Sequence, residues 1–270
     1  MLVIVVLACR PNVVQERIDA GGDASCLVDE DGVECWGLLS GTKDDFGLPG
    51  GASVSTWMDV VCVAGGDESQ CAGGDEDEWG VVSEAPRDLL SVSVGARFAC
   101  GIDKRSALQC WGFLPEGVPG TDSDSDWLHV HASAFGACVV SQDGNVECWG
   151  DEPYPPGEAG PTGLIRVAAG FGYACGLTMG GSVECWGDAP VPTGMTGTDV
   201  DATGSQACVL DGAVAQCWGE SANNHGMDEV RSFDTQVEEF AAGSTHACIM
   251  DRSGEVSCWG SDLFGESSPP

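Results

Sequence analysis

The sequence predicts an all-β fold, a seven-bladed β-propeller with one disulfide per blade. Three observations carry this expectation. A Trp-Gly dipeptide recurs seven times, fourteen of the 15 cysteines fall into close pairs in step with it, and turn-forming residues separate the pairs.

The dipeptides begin at Trp36, Trp79, Trp111, Trp149, Trp186, Trp218 and Trp259, and the cysteines repeat with a period of about 37 residues. Before each dipeptide lies a small-residue strand, then a cysteine and a short turn. Val167-Ala168-Ala169-Gly170 leading to Cys175, and Phe240-Ala241-Ala242-Gly243 leading to Cys248, are clear copies. Each copy reads as strand, turn, strand, turn, strand. Gly21, Gly66, Gly95, Gly170 and Gly243 stand five residues before a cysteine, where a tight turn favours a residue without Cβ; Ser133 and Thr203 fill that slot in two copies. The second turn carries Asp31-Gly32, Asp143-Gly144, Gly180-Gly181, Asp211-Gly212 or Ser253-Gly254, which supply the positive φ of hairpin loops. A unit of this length cannot bury both faces alone, so neighbours must stack, and closing the stack into a ring protects the strand edges. The recurring tryptophans are expected to pack between blades rather than to form a ligand cage. The segment from Val13 to Asp19 is expected to supply the first strand.

The hairpins place paired cysteines opposite one another, within disulfide reach. The expected bonds are Cys26–Cys35, Cys62–Cys71, Cys100–Cys110, Cys138–Cys148, Cys175–Cys185, Cys208–Cys217 and Cys248–Cys258. Separations of nine or ten positions do not resemble zinc knuckles. A framework of this kind persists in an oxidising compartment. The second repeat is irregular. One alignment, the favoured one, matches Ala64-Gly65-Gly66 to Ala20-Gly21-Gly22 and makes Cys71 the first cysteine, with Cys62 on the preceding strand. The other makes Cys62 first and Cys71 second. Both predict the same bond.

Residues 1–9 form an apolar run ending in Val6-Leu7-Ala8-Cys9, which resembles a bacterial lipobox, and Cys9 is the expected site of lipidation. The run is short for a signal peptide and has no basic start, as a start placed too late would produce; an ordinary secretion signal and a chance match are the alternatives. Residues 10–270 are expected to be a single propeller. No other stretch approaches the roughly 20 apolar residues of a spanning helix.

Ten lysines and arginines stand against 43 acids, a formal charge of -33. That balance repels phosphate backbones and anionic lipid headgroups, so nucleic acid is not an expected partner. Its plain meaning is a solvating surface; docking of basic partners or cations is the other reading.

The repeats resemble the regulator of chromosome condensation repeat, in the cysteine-bearing form of bacterial secreted proteins. The resemblance rests on Phe98-Ala99-Cys100 and His246-Ala247-Cys248, on the Cys-Trp-Gly strand ends, and on following loops such as Lys43-Asp44-Asp45-Phe46-Gly47, Asn223-Asn224-His225-Gly226 and Asp262-Leu263-Phe264-Gly265. It covers about residues 13 to 266 and implies a seven-bladed propeller. The founder of the family is a guanine nucleotide exchange factor; none of its exchange residues maps onto this chain, and other members resemble receptors or protein inhibitors. A fold does not fix a function.

Chemistry is sparse. There is no phosphate loop, no G-x-S-x-G elbow and no H-E-x-x-H. His129 and His131 alternate along an expected strand and face one side, compatible with a metal pair but lacking a third ligand. Asp122, Asp124 and Asp126 resemble the opening of a calcium loop, yet Trp127 replaces its glycine and Ser133 its closing acid. The acidic cluster Asp75-Glu76-Asp77-Glu78 reads as a solvated loop. No catalytic residue, metal site or cofactor is assigned. The expectation is a monomeric, non-enzymatic binding module at the cell envelope or secreted, presenting loops to a protein or glycan, with membrane contact only through a lipid on Cys9. An intracellular exchange-factor-like regulator and a propeller-scaffold enzyme are the alternatives.

Overall fold

The computed structural model describes residues 13–29, 31–39, 47–66, 68–73, 79–119, 126–150, 160–220 and 225–270. It is a ring of seven antiparallel sheets, six with three strands and one with four. The inner strands are Ile18–Gly21, Ser53–Trp57, Leu89–Val94, Trp127–Ala132, Leu164–Ala169, Asp199–Thr203 and Val237–Ala242. The middle strands are Ala24–Val28, Val60–Ala64, Phe98–Asp103, Gly136–Ser141, Tyr173–Thr178, Gln206–Asp211 and His246–Asp251. The outer strands are Val33–Gly37, Gln70–Gly73, Leu108–Gly112, Val146–Gly150, Val183–Gly187, Val214–Gly219 and Val256–Gly260, with Arg231–Ser232 added at the edge of blade six. Among the described residues no helix is long and apolar enough to cross a membrane.

Each blade is bolted by one disulfide between its middle and outer strands. Cys138 faces Cys148 and Cys175 faces Cys185 in the strand register, with Cα atoms 4.1 and 4.0 Å apart; the pairs of the other five blades are bonded likewise. The second repeat follows the less favoured of the two alignments. Cys62 lies on the middle strand and Cys71 on the outer one, so Cys62 is the first cysteine. Met58-Asp59 makes the inner turn, with Met58 at a φ of 51°, while Gly65 and Gly66 make the second turn. A glycine pair suits either hairpin, which is why the sequence pattern misleads there.

The core lies between blades rather than within them. Cys26 and Val28 of blade one pack with Val54, Val61 and Val63 of blade two; Phe98 and Ile102 of blade three pack with Val130 and Val139 of blade four. Small side chains let neighbours approach closely. A Cβ on Gly21 would sit 1.8 Å from the Thr56 carbonyl oxygen of the next blade, and one on Gly170 would strike the Tyr173 ring at 2.1 Å. These turn glycines therefore serve close approach, not a left-handed φ.

Among the described residues no strand crosses the seam between blades seven and one. Side chains close it instead: Ile18, Ala20 and Trp36 pack on Ala241, Cys248 and Met250. The C-terminal tail adds a peg, since the Glu266 carbonyl accepts hydrogen bonds from Trp36 Nε1 at 2.9 Å and from Ser25 Oγ at 3.0 Å. Buried His246 Nε2 meets the same Ser25 Oγ at 2.7 Å.

The first strand is shorter than the sequence suggests. It starts at Ile18, and residues 13–17 instead lie across one mouth of the central channel. Val14 N–H donates to the Leu128 carbonyl of blade four at 3.0 Å, and Gln15 Nε2 to the Leu90 carbonyl of blade three at 3.0 Å.

Candidate functional site

Two regions gather chemistry, the central channel and one face of the ring. In the channel, the inner-strand residue opposite the first cysteine of a blade is Asp19, Ser55, Ser93, His131 or Asp201 in five of the blades. Each side chain accepts a hydrogen bond from a backbone N–H of the following blade. Asp19 takes Thr56 at 2.6 Å, Ser55 takes Val94 at 3.0 Å, and Ser93 takes Ala132 at 2.8 Å. His131 Nδ1 takes Ala169 at 3.1 Å and Asp201 takes Ala242 at 2.7 Å. Two residues earlier a second tier repeats the device: Ser53 to Val92, His129 to Val167, and Glu239 to Ile18. These inter-blade clasps satisfy inner-strand donors that have no strand partner on that side.

Charge concentrates on the same tiers. Glu16, carried in by the N-terminal segment, pairs with the Arg166 guanidinium and lies 3.2 Å from His129 Nε2. Arg166 also holds Asp199 at 3.0 Å, and His131 Nε2 meets Asp201 at 3.0 Å. Burial alone would raise the Glu16 carboxyl, but Arg166 and His129 outweigh it and hold it well below the carboxylate range. Burial pushes Asp199 up to about 7, with Arg166 opposing and the Glu16 charge adding to the rise. Asp19 also goes up to about 7, through burial and the neighbouring Asp201 and Glu16 charges, against its bond from Thr56. Burial likewise depresses the His129 imidazole, whereas the Asp201 carboxylate raises His131 despite burial. His129 and His131 do face one side, as their alternation predicts; both accept inter-blade clasps, and each also meets a carboxylate, His129 that of Glu16 and His131 that of Asp201. Among the described residues no three metal-ligating side chains converge. Asp126 is exposed at the start of the inner strand of blade four. Cys9, Asp122, Asp124 and the cluster 75–78 lie outside the described residues.

The second region is the face bearing the turns between inner and middle strands. Arg97, Phe135 and Phe171 project there from three successive blades, joined by Phe113 beyond an outer strand and by Trp79. Trp79 and Phe113 meet edge to face with centroids 5.2 Å apart; Phe135 and Phe171 stack at 5.7 Å. The Arg97 guanidinium bridges the two pairs, 5.0 Å from the Phe113 ring and 5.9 Å from Phe135. Four aromatic residues, each between 37% and 51% exposed, thus form one continuous strip. Trp36, Trp111, Trp149 and Trp259 are buried between blades, and Trp111 Nε1 donates to the Val81 carbonyl at 2.8 Å. Trp79 stands apart because the outer strand of blade two ends at Gly73, before it. Sequence reasoning missed the strip, since nothing in one repeat says which face a turn residue joins. The clasps left a legible signal, a polar residue recurring among small ones at one position of the repeat.

Residues 237–266 match the Regulator of chromosome condensation (RCC1) repeat. Comparison with curated proteins gave no match. Among solved structures, the chain is similar to the CRINKLY WD40 ectodomain of the Arabidopsis thaliana receptor kinase ACR4, at 22% identity and a TM-score of 0.73, over 95% of this chain and 98% of that one. The entire ectodomain of the Physcomitrella patens receptor kinase CR4 is similar at 21% identity and a TM-score of 0.67, over 90% of this chain and 72% of that one. Prp20p of Saccharomyces cerevisiae, described with its binding to Gsp1p and histones, is 10% identical with a TM-score of 0.64, over 97% and 85%. At these identities the likeness is one of fold. With the repeat match confined to residues 237–266 and the same ring of sheets throughout, this chain has the seven-bladed propeller fold and carries a regulator of chromosome condensation repeat in its C-terminal blade.

Proposed function

We propose that the chain is a non-enzymatic binding module that works outside the cytoplasm and holds a protein partner on the face carrying the aromatic strip. The strip itself is the observation that carries this reading. Exposed aromatic side chains on adjacent blades, held by a frame with a disulfide in each blade, supply rigid anchors at low entropic cost. The polar groups that converge in the channel are engaged with one another and with the next blade, which favours binding over catalysis. The disulfides and the receptor-kinase ectodomains among its structural neighbours point to an extracellular location.

Residues 10–270 are read as one propeller, with Cys9 as a lipid anchor. The chain reaches Val13 at the mouth opposite the aromatic strip, so such an anchor would turn the strip away from the membrane. The test is site-specific photocrosslinking from position 135 in the native host, with intact mass after alkylation of free thiols. A discrete protein adduct on oxidised chain is expected. Largely alkylated cysteines would overturn the extracytoplasmic assignment, and adducts to glycan alone would overturn the protein partner.

A further inference from the structure

We infer that the aromatic strip receives a cationic polypeptide segment that presents apolar side chains between its basic residues. This rests on the reading of the strip as the binding face. Exposed apolar side chains are distributed unevenly over the molecule. Among the described residues, Leu38, Met58, Leu114, Leu263 and Phe264 share the strip's face, and the other exposed large apolar residues, Met179, Val214 and Val230, lie elsewhere. The ring contacts and the Arg97 bridge make the strip itself contiguous, and a contiguous exposed apolar surface marks an interaction site.

The electrostatics select the partner. Arg97 alone of the described lysines and arginines stands on this face; Arg87, Lys104, Arg105 and Arg252 are on or beside the hairpin turns of the opposite one. Exposed Asp59, Glu116, Asp188, Glu220 and Asp262 share this face, in the turn of blade two and after the outer strands of blades three, five, six and seven. An apolar strip on a face rich in carboxylates complements apolar anchors flanked by lysine or arginine. A second copy of the chain does not fit, because each carries a formal charge of -33 and pairing two such faces would press like charges together.

The experiment is selection from a random-peptide library on the oxidised full-length chain, with counter-selection on a Phe135→Ser/Phe171→Ser variant. Both positions are exposed, and unchanged thermal unfolding confirms that the variant folds. Enriched peptides are expected to carry net positive charge with interspersed leucine or aromatic residues. A synthetic peptide of the consensus should lose about tenfold or more in affinity on the double variant. It should also weaken on Asp188→Lys/Glu220→Lys and in high salt, and be indifferent to Met179→Ser on the other face. Strip-dependent peptides that are acidic or neutral would overturn the cationic assignment while leaving the binding face standing. A pool that binds the wild type and the Phe135→Ser/Phe171→Ser variant equally would overturn both.

Discussion

The Glu16 carboxylate of the N-terminal segment crosses the channel mouth to the Arg166 guanidinium of blade five, and Arg166 holds Asp199 of blade six on its other side. One cation thus ties the chain entry to two blades, which makes the two ends of the pair unequal. Removing Glu16 leaves Arg166 with Asp199. Removing Arg166 leaves two carboxylates facing each other in a poorly solvated channel. Arg166→Met is therefore expected to cost about 3 kcal/mol, and Glu16→Gln about half that. Denaturant midpoints with the disulfides intact measure both, and equal losses would contradict the bridging role.

The two kinds of tryptophan separate by the same measurement. Trp111 is buried between blades and its indole N–H is bonded, whereas Trp79 lies on the open strip. Trp111→Ala should cost about 3–5 kcal/mol. Trp79→Ala, which loses the Phe113 edge contact but no inter-blade packing, should cost only about 1 kcal/mol. A large loss at Trp79 would mean that the strip belongs to the packing rather than to a binding face.

Stability should depend on pH through opposing groups. Burial pushes the His246 imidazole down to about 4, against the pull of Glu266 and Asp262. The unfolded chain takes up that proton near 6.5, so stability falls as pH drops from about 6.5 to about 4, by about 3 kcal/mol. Asp19 and Asp199 act the other way. Raised to about 7, they lose their protons later in the folded state than in the unfolded one, so stability falls as pH rises from about 4 towards about 7. His246→Gln should flatten the acid limb and Asp199→Asn the upper one. An acid limb that survives His246→Gln would assign it to other groups.

Each disulfide staples one hairpin inside one blade, so losses should be local and similar. Replacing Cys175 and Cys185 by serine removes a short closed loop from the unfolded-state constraint, at about 2–3 kcal/mol. The ring should still form, with a lower melting temperature on calorimetry. Collapse of the whole fold on loss of a single staple would show that the blades are not independently held.

Blade number, the disulfide framework and the stacking of blades into a ring were legible in the sequence because they repeat. A period of about 37 residues, cysteine pairs in step with it and turn glycines all report local hairpin geometry, which each copy states again. Where a copy departs from the pattern, as around Gly65 and Gly66, local signals fit two registers, and only packing chose between them.

The sequence by itself determined the blade, its staple and the alternation that turns His129 and His131 to one side. The tertiary structure decided what those residues meet. Glu16 reaches Arg166 across 150 positions, Ser25 meets His246 across 221, and Phe135 stacks on Phe171 across a blade boundary. Local periodicity fixes the direction of a side chain from its own strand, whereas its partner is set by closure of the ring, which brings distant repeats side by side.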